Sequence, residues 1–150
     1  MTDRATHDLT TSITWLAHLI ERFANLRLAA GSFPKGMSYA RANLLIAVHN
    51  AHEEENSARM VDIALDLGVT GRTLTTMVDS LENQDLMRRE VDSADRRAYQ
   101  LVLTKQGRDL IPLLQAELSQ AAETVAAPLS EADRAHLARL INRLIERGSA

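Results

Sequence analysis

The chain contains no cysteine. That single absence excludes disulfide scaffolding, cysteine-ligated zinc and thiol-based redox sensing together. Aromatic residues are few, two Phe, two Tyr and one Trp. No apolar run approaches the roughly 18 residues that a membrane-spanning helix requires. The opening MTDRATHDLTTS has neither a basic leader nor an apolar stretch, so no secretion signal is expected and a cytoplasmic location is. There is no G-x-S-x-G, no P-loop and no H-E-x-x-H, so the sequence predicts neither an enzyme nor a cofactor. An excess of positive charge is missing as well. The formal net charge is −3, which by itself argues mildly against a nucleic-acid partner. Its distribution is permissive, because residues 57–108 hold eight Lys or Arg against eight Asp or Glu and the flanks carry the excess acid. No internal repeat or low-complexity segment interrupts the chain.

What is present is a composition suited to one globular domain, 45% apolar and 25% charged over 150 residues. A chain of that length buries about two-thirds of its unfolded surface. Its organising stretch is ARMVDIALDLGVTGRTLTTMVDSLENQDL. Met60, Ile63, Ala64 and Leu67 recur at helical spacing, and so do Leu74, Met77, Val78 and Leu81. Gly68 suits the left-handed residue that ends a first helix, and Thr70 suits the N-cap of a second. Two short helices around a tight turn predict a helix-turn-helix, whose second helix enters a DNA major groove.

The period then changes. Leu86, Arg88 and Glu90 alternate with Met87, Arg89 and Val91, and Tyr99, Leu101 and Leu103 alternate with Ala98, Gln100 and Val102. Two alternating runs around the polar tip DSADRR predict a β-hairpin, placed as a wing beside the helix-turn-helix. Asp95-Arg96-Arg97 followed by Leu103-Thr104-Lys105-Gln106-Gly107 resembles the D-x-R…L-T-x-x-G signature of the MarR family of bacterial transcriptional regulators. The match is close over about a third of the chain, and the flanking helices fit the family layout more loosely.

Those flanks are amphipathic. Leu9, Ile13, Leu16, Ile20 and Phe23 mark a first helix over residues 9–30, with Leu19 and Leu26 widening its stripe. Two glycines and Pro34 break it, and Ser38 opens a second helix with Leu44, Leu45, Ile46 and Val48 on its apolar face, ending in the acidic loop of residues 53–56. Thr104 caps a long helix reaching about Ala127, with a bend expected near Pro112. Ser130-Glu131-Ala132-Asp133 opens a last helix to about Arg147, striped by Leu137, Leu140, Ile141, Leu144 and Ile145. The family resemblance implies that the two terminal regions interleave between two chains. The expected architecture is therefore mainly α with a small β-hairpin wing, one domain over 1–150. Within it lie a winged helix-turn-helix reader at 38–104 and dimerisation helices at 8–30 and 105–147.

Several residues are candidates for DNA contact. Thr70, Gly71, Arg72, Thr73, Thr75 and Thr76 occupy the first turns of the second reader helix, opposite its apolar side. Threonine bonds phosphates or base edges and touches thymine methyls, while arginine forks onto guanine. In the wing, an Asp95 carboxylate two residues from Arg97 is expected to hold the guanidinium extended for a narrow minor groove, with Arg96 on a phosphate. The sequence departs from the family in carrying Thr76 where many relatives have arginine, and Asp85 where a turn glycine is usual. The resemblance further implies a homodimeric repressor of a pseudo-palindromic operator, released by a small-molecule effector, with no membrane partner. Two alternatives stand beside it. One is a winged-helix protein-interaction module without DNA binding. The other is a metal-responsive regulator using His49 and His52, which are three apart on one helix. Trp15 and His18 are candidates for an effector pocket or, for Trp15, a dimer core.

Overall fold

A computed structural model describes residues 8–148, so the leader expectation falls largely outside the described residues. The elements run α1 (Leu9–Ala30), α2 (Tyr39–Glu53), α3 (Met60–Leu67), α4 (Gly71–Glu82), β1 (Met87–Val91), β2 (Tyr99–Leu103), α5 (Lys105–Ala126) and α6 (Glu131–Gly148). The caps follow local chemistry. Ser38 accepts from the Arg41 N–H, Thr70 from Thr73 and Thr104 from Gly107, each satisfying a donor that has no partner within its own helix. Gly68 ends α3 in the left-handed region at φ 64. α5 continues through Pro112 without interruption.

The core forms around α2, whose Leu44, Leu45 and Val48 are fully buried among Ile63 of α3, Leu74, Val78 and Leu81 of α4, Leu101 of β2 and Leu114 of α5. Each such leucine contributes about 1.5–3 kcal/mol of transfer free energy. β1 pairs antiparallel with β2, setting Met87 opposite Leu103, Arg89 opposite Leu101 and Val91 opposite Tyr99. Met87, Leu101 and Leu103 sit in the core, while Val91 and Tyr99, nearer the tip, are exposed. Leu86 lies just before β1 and is buried beside Met87 instead of alternating with it. A short third edge, invisible to periodicity, joins the hairpin. Arg59 bridges Gln100, and the Leu101 N–H donates to the Ala58 carbonyl at 2.9 Å.

The terminal helices contrast with this core. α1 buries only Ala24 and Leu28, against α5 and α2, where Arg27 also pairs with Glu117 at 2.6 Å. Leu9, Ile13, Trp15 and Leu26 remain exposed along the same helix. No side chain of α6 between Glu131 and Glu146 is buried, and Leu140, Ile141 and Leu144 lie open. The stripes read from sequence exist, but one chain does not cover them. Among the described residues no helix is long and apolar enough to cross a membrane.

Candidate nucleic-acid interface

α4 presents two faces. Leu74, Met77, Val78 and Leu81 face the core, while Gly71, Arg72, Thr73, Thr75 and Thr76 are exposed around its first two turns. The threonine hydroxyls are engaged within the helix. Thr75 Oγ1 donates to the Gly71 carbonyl at 2.9 Å, Thr76 Oγ1 donates to Arg72 at 3.1 Å, and Thr70 Oγ1 caps while sharing a proton with Thr73 Oγ1. In those rotamers Thr75 and Thr76 offer outward a methyl group and oxygen lone pairs. They can accept from a base amino group or touch a thymine methyl, but the proton a phosphate would need is already given to the helix. Arg72 has no hydrogen-bond or ion-pair partner for its guanidinium among the described residues, so it is available for a charged ligand.

The wing tip is fixed by a residue whose role sequence reasoning missed. Asp92 opens the polar tip, yet it is 2% exposed while residues 93–97 all lie in solvent. Its Oδ1 accepts the N–H groups of Ala94 at 2.7 Å and Asp95 at 2.9 Å, and its Oδ2 accepts Arg59 Nε at 2.8 Å and Gln100 Nε2 at 2.7 Å. The Arg59 guanidinium first, then Gln100 and the two backbone donors, hold the carboxyl well below the usual carboxylate range. The same pairing raises Arg59. The Asp-Ser-Ala-Asp run was the available signal, since an aspartate bonding the backbone two and three residues ahead is an Asx turn.

Asp95 and Arg97 do not interact as the spacing suggested. Asp95 Oδ1 accepts the Arg97 backbone N–H at 3.0 Å, and the Asp95 carbonyl accepts from Ala98 at 2.9 Å. The carboxylate thus shapes the turn and leaves the guanidinium alone, because in a tight tip the backbone donor lies nearer than the end of a long side chain. Arg96 and Arg97 are exposed, and neither guanidinium has a partner among the described residues.

The wing and α4 are tied to each other. Of the two strand arginines, Arg88 turns outward to Glu90 at 2.7 Å. Arg89 turns inward, reaching Asp79 at 2.6 Å and the Glu82 carboxylate, whose other oxygen accepts the Arg89 N–H at 2.7 Å. At the hairpin's far end, Thr104 Oγ1 donates to the Asp85 carbonyl at 2.6 Å, and its N–H donates to Leu86. Asp85 adopts the left-handed conformation at φ 54 where a glycine is usual. Gly107 lets the first turn of α5 lie directly on the Leu86 backbone, for a Cβ there would come within 1.9 Å of the Leu86 oxygen.

The remaining candidates are placed differently. His52 Nε2 bonds the Leu101 carbonyl at 2.9 Å, bracing β2 from α2, so this imidazole serves the wing. Trp15 and His18 line a surface cleft on α1 with Thr10, Thr11 and Thr14.

Comparison with known proteins agrees with this geometry. Residues 46–99 match the model of the MarR family, spanning the second half of α2, the helix-turn-helix, β1 and the tip as far as the first residue of β2. The regulator PecS of Dickeya dadantii is 32% identical over 78 residues, 52% of this chain and 47% of PecS. The chain therefore spans about half the length of that curated relative. Wild-type MarR from E. coli in its apo form superposes with a TM-score of 0.79 at 20% identity, covering 92% of this chain and 96% of that one. The S. aureus MepR–DNA complex does so at 0.73 and 19% identity, covering 94% and 98%. These likenesses show a shared fold from α1 to α6, and over residues 46–99, from the second half of α2 through the helix-turn-helix to the start of β2, the chain resembles the MarR family.

Proposed function

We propose that the chain is a sequence-specific, double-stranded-DNA-binding transcriptional regulator that works in the cytoplasm as a homodimer. The observation that carries this reading is that the guanidinium groups of Arg72, Arg96 and Arg97 have no partner among the described residues. They project from two exposed elements that Arg89 holds together. Uncommitted cations on a rigid frame suit a polyanion, since little ordering is lost on binding. α4 then reads the major groove through Arg72 and the methyl and lone-pair faces of Thr75 and Thr76. Thr70, Gly71 and Thr73 at the helix N-terminus meet phosphate. Arg97 enters the flanking minor groove, Arg96 contacts the backbone, and Asp95 shapes the turn that carries them. That a protein of the same fold has been solved in complex with DNA supports DNA as the partner.

The uncovered apolar faces of α1 and α6 support self-association over residues 8–30 and 105–147 around a reader at 38–104, with a two-fold axis relating the readers. The sign of regulation follows the family resemblance. A repressor is released when a small molecule favours a reader spacing that no longer fits the operator, which requires unequal affinity for the two states. Selection of duplexes from a random-sequence library tests the reading. The enriched sites are expected to be two-fold symmetric, with half-site centres about 10–10.5 base pairs apart or a multiple of that. Enrichment of single, asymmetric sites, or of none, would overturn it.

A further inference from the structure

The wing tip contains a buried charge that no DNA contact requires. On a hairpin tip whose neighbours 93–97 are solvent-exposed, a carboxylate at 2% exposure needs a reason. All four lone-pair positions of Asp92 are filled, and the two oxygens have separate tasks. Oδ1 gathers the backbone of Ala94 and Asp95, setting the path of the tip. Oδ2 is held by Gln100 of β2 and by Arg59, which flanks the first residue of α3 on the helix-turn-helix body. From there the connection continues outward, because Asp95 Oδ1 holds the Arg97 N–H at 3.0 Å. A continuous series of bonds therefore runs from the start of α3, through Asp92, to the backbone of Arg97, whose guanidinium has no partner among the described residues.

We infer that Asp92, anchored by Arg59, is a positioning residue that fixes the wing tip relative to the helix-turn-helix and so presets the stance of Arg97 toward the minor groove. The inference rests on the DNA-reading role proposed above. A six-residue polar tip without such an anchor would sample many conformations, and ordering it on binding would weaken the complex. The wing's own strands do not supply this hold on the tip, since their last cross-strand bond, from the Asp92 N–H to the Ala98 carbonyl at 3.0 Å, stops short of residues 93–97. An asparagine at position 92 keeps the shape of the side chain. It loses the charge facing Arg59 and turns an N–H₂ toward donors on one side, so the tip is released while the core beneath it is untouched.

A double-mutant cycle separates positioning from general structural support. The probe is a duplex enriched by the wild-type protein from a random-sequence library, with affinity read by fluorescence anisotropy. Asp92→Asn is expected to weaken binding by about tenfold, the scale of a lost arginine contact. In the Arg97→Ala protein the same change should cost less than about twofold, because there is no longer a guanidinium to position. Arg59→Gln, which leaves the tip sequence unaltered, should behave in the same way. Equal losses with and without Arg97, in both anchor variants, would overturn the inference and make the network a structural support only. Unchanged affinity in Asp92→Asn and Arg59→Gln would overturn it too, while leaving the DNA-reading role intact. Failure of the wild-type protein to enrich or bind any duplex would instead remove the DNA-reading role, and this inference with it.

Discussion

Gly107→Ala should destabilise the fold by about 3 kcal/mol or more, near the upper end of what overpacking costs. A Cβ at this position would meet the Leu86 oxygen at 1.9 Å and the Leu86 carbonyl carbon at 3.0 Å, and both are backbone. No side-chain rotation relieves such a contact, so either α5 must lift from the wing or Leu86 must move. Moving Leu86 disturbs the Thr104 N–H bond to its carbonyl and the neighbouring Thr104 hydroxyl bond to Asp85. Those are the bonds that start α5 at the base of the hairpin. The threonine and glycine of the L-T-x-x-G signature thus act at one joint, one capping the helix and the other letting it approach. For a domain of this size the expected fall in Tm is roughly 6–12 °C, read by circular dichroism or calorimetry. Gly71→Ala is the matched control. Gly71 begins α4 with open space where a Cβ would stand, nothing lying within 4 Å, and with no positive φ. Alanine there should leave stability unchanged or raise it by up to about 1 kcal/mol. Comparable losses at the two glycines would contradict the packing argument.

A second large effect is expected at α6. Replacing Ile141 and Leu144 together by aspartate should convert a dimer to a monomer at micromolar concentration. In a single chain these residues are 38% and 61% exposed, and substitutions at such surface positions ordinarily change stability by about 0.5 kcal/mol or less. In a dimer that buries the α6 face, two unpaired carboxylates would cost several kcal/mol. Sedimentation should show the halved mass, while helical circular dichroism and the melting of the reader stay near wild type. Affinity for a two-half-site duplex should fall by about 100-fold or more, because the second reader is no longer tethered to the first. A dimer that survives both substitutions would show that α6 is not the interface and that the exposed apolar face serves another purpose.

The parts of this molecule that were legible in the sequence are those determined within a few residues. Thr70, Ser38 and Thr104 cap the helices they precede, Gly68 takes the left-handed turn, and the apolar periods of α3 and α4 are those of the structure. Asp85 accepts the strained turn that a glycine would have eased. What escaped the reading is long-range. Asp92 and Arg59 are 33 residues apart in the chain, and nothing at either position announces the other. Arg89 looks like any strand arginine until the hairpin folds it onto Asp79 and Glu82. The Arg59 bridge to Gln100 is too short to leave an alternating pattern. For Asp95 and Arg97 the spacing was informative but the atom was misassigned, since the backbone N–H is nearer than the guanidinium and took the bond. The exposed surfaces posed a different problem. Periodicity identifies an apolar face such as that of α6, but it carries no information about what packs against that face.

Fluorescence anisotropy over a salt series, wild type beside Arg97→Ala, is the decisive measurement of whether α4 and the wing read duplex DNA through uncommitted cations. Each phosphate neutralised should contribute about 0.9 to the slope of log affinity against log salt. Tight, steeply salt-dependent binding is expected of the wild type on its selected duplex, with weaker binding in Arg97→Ala. No binding to any duplex at low salt would contradict that reading.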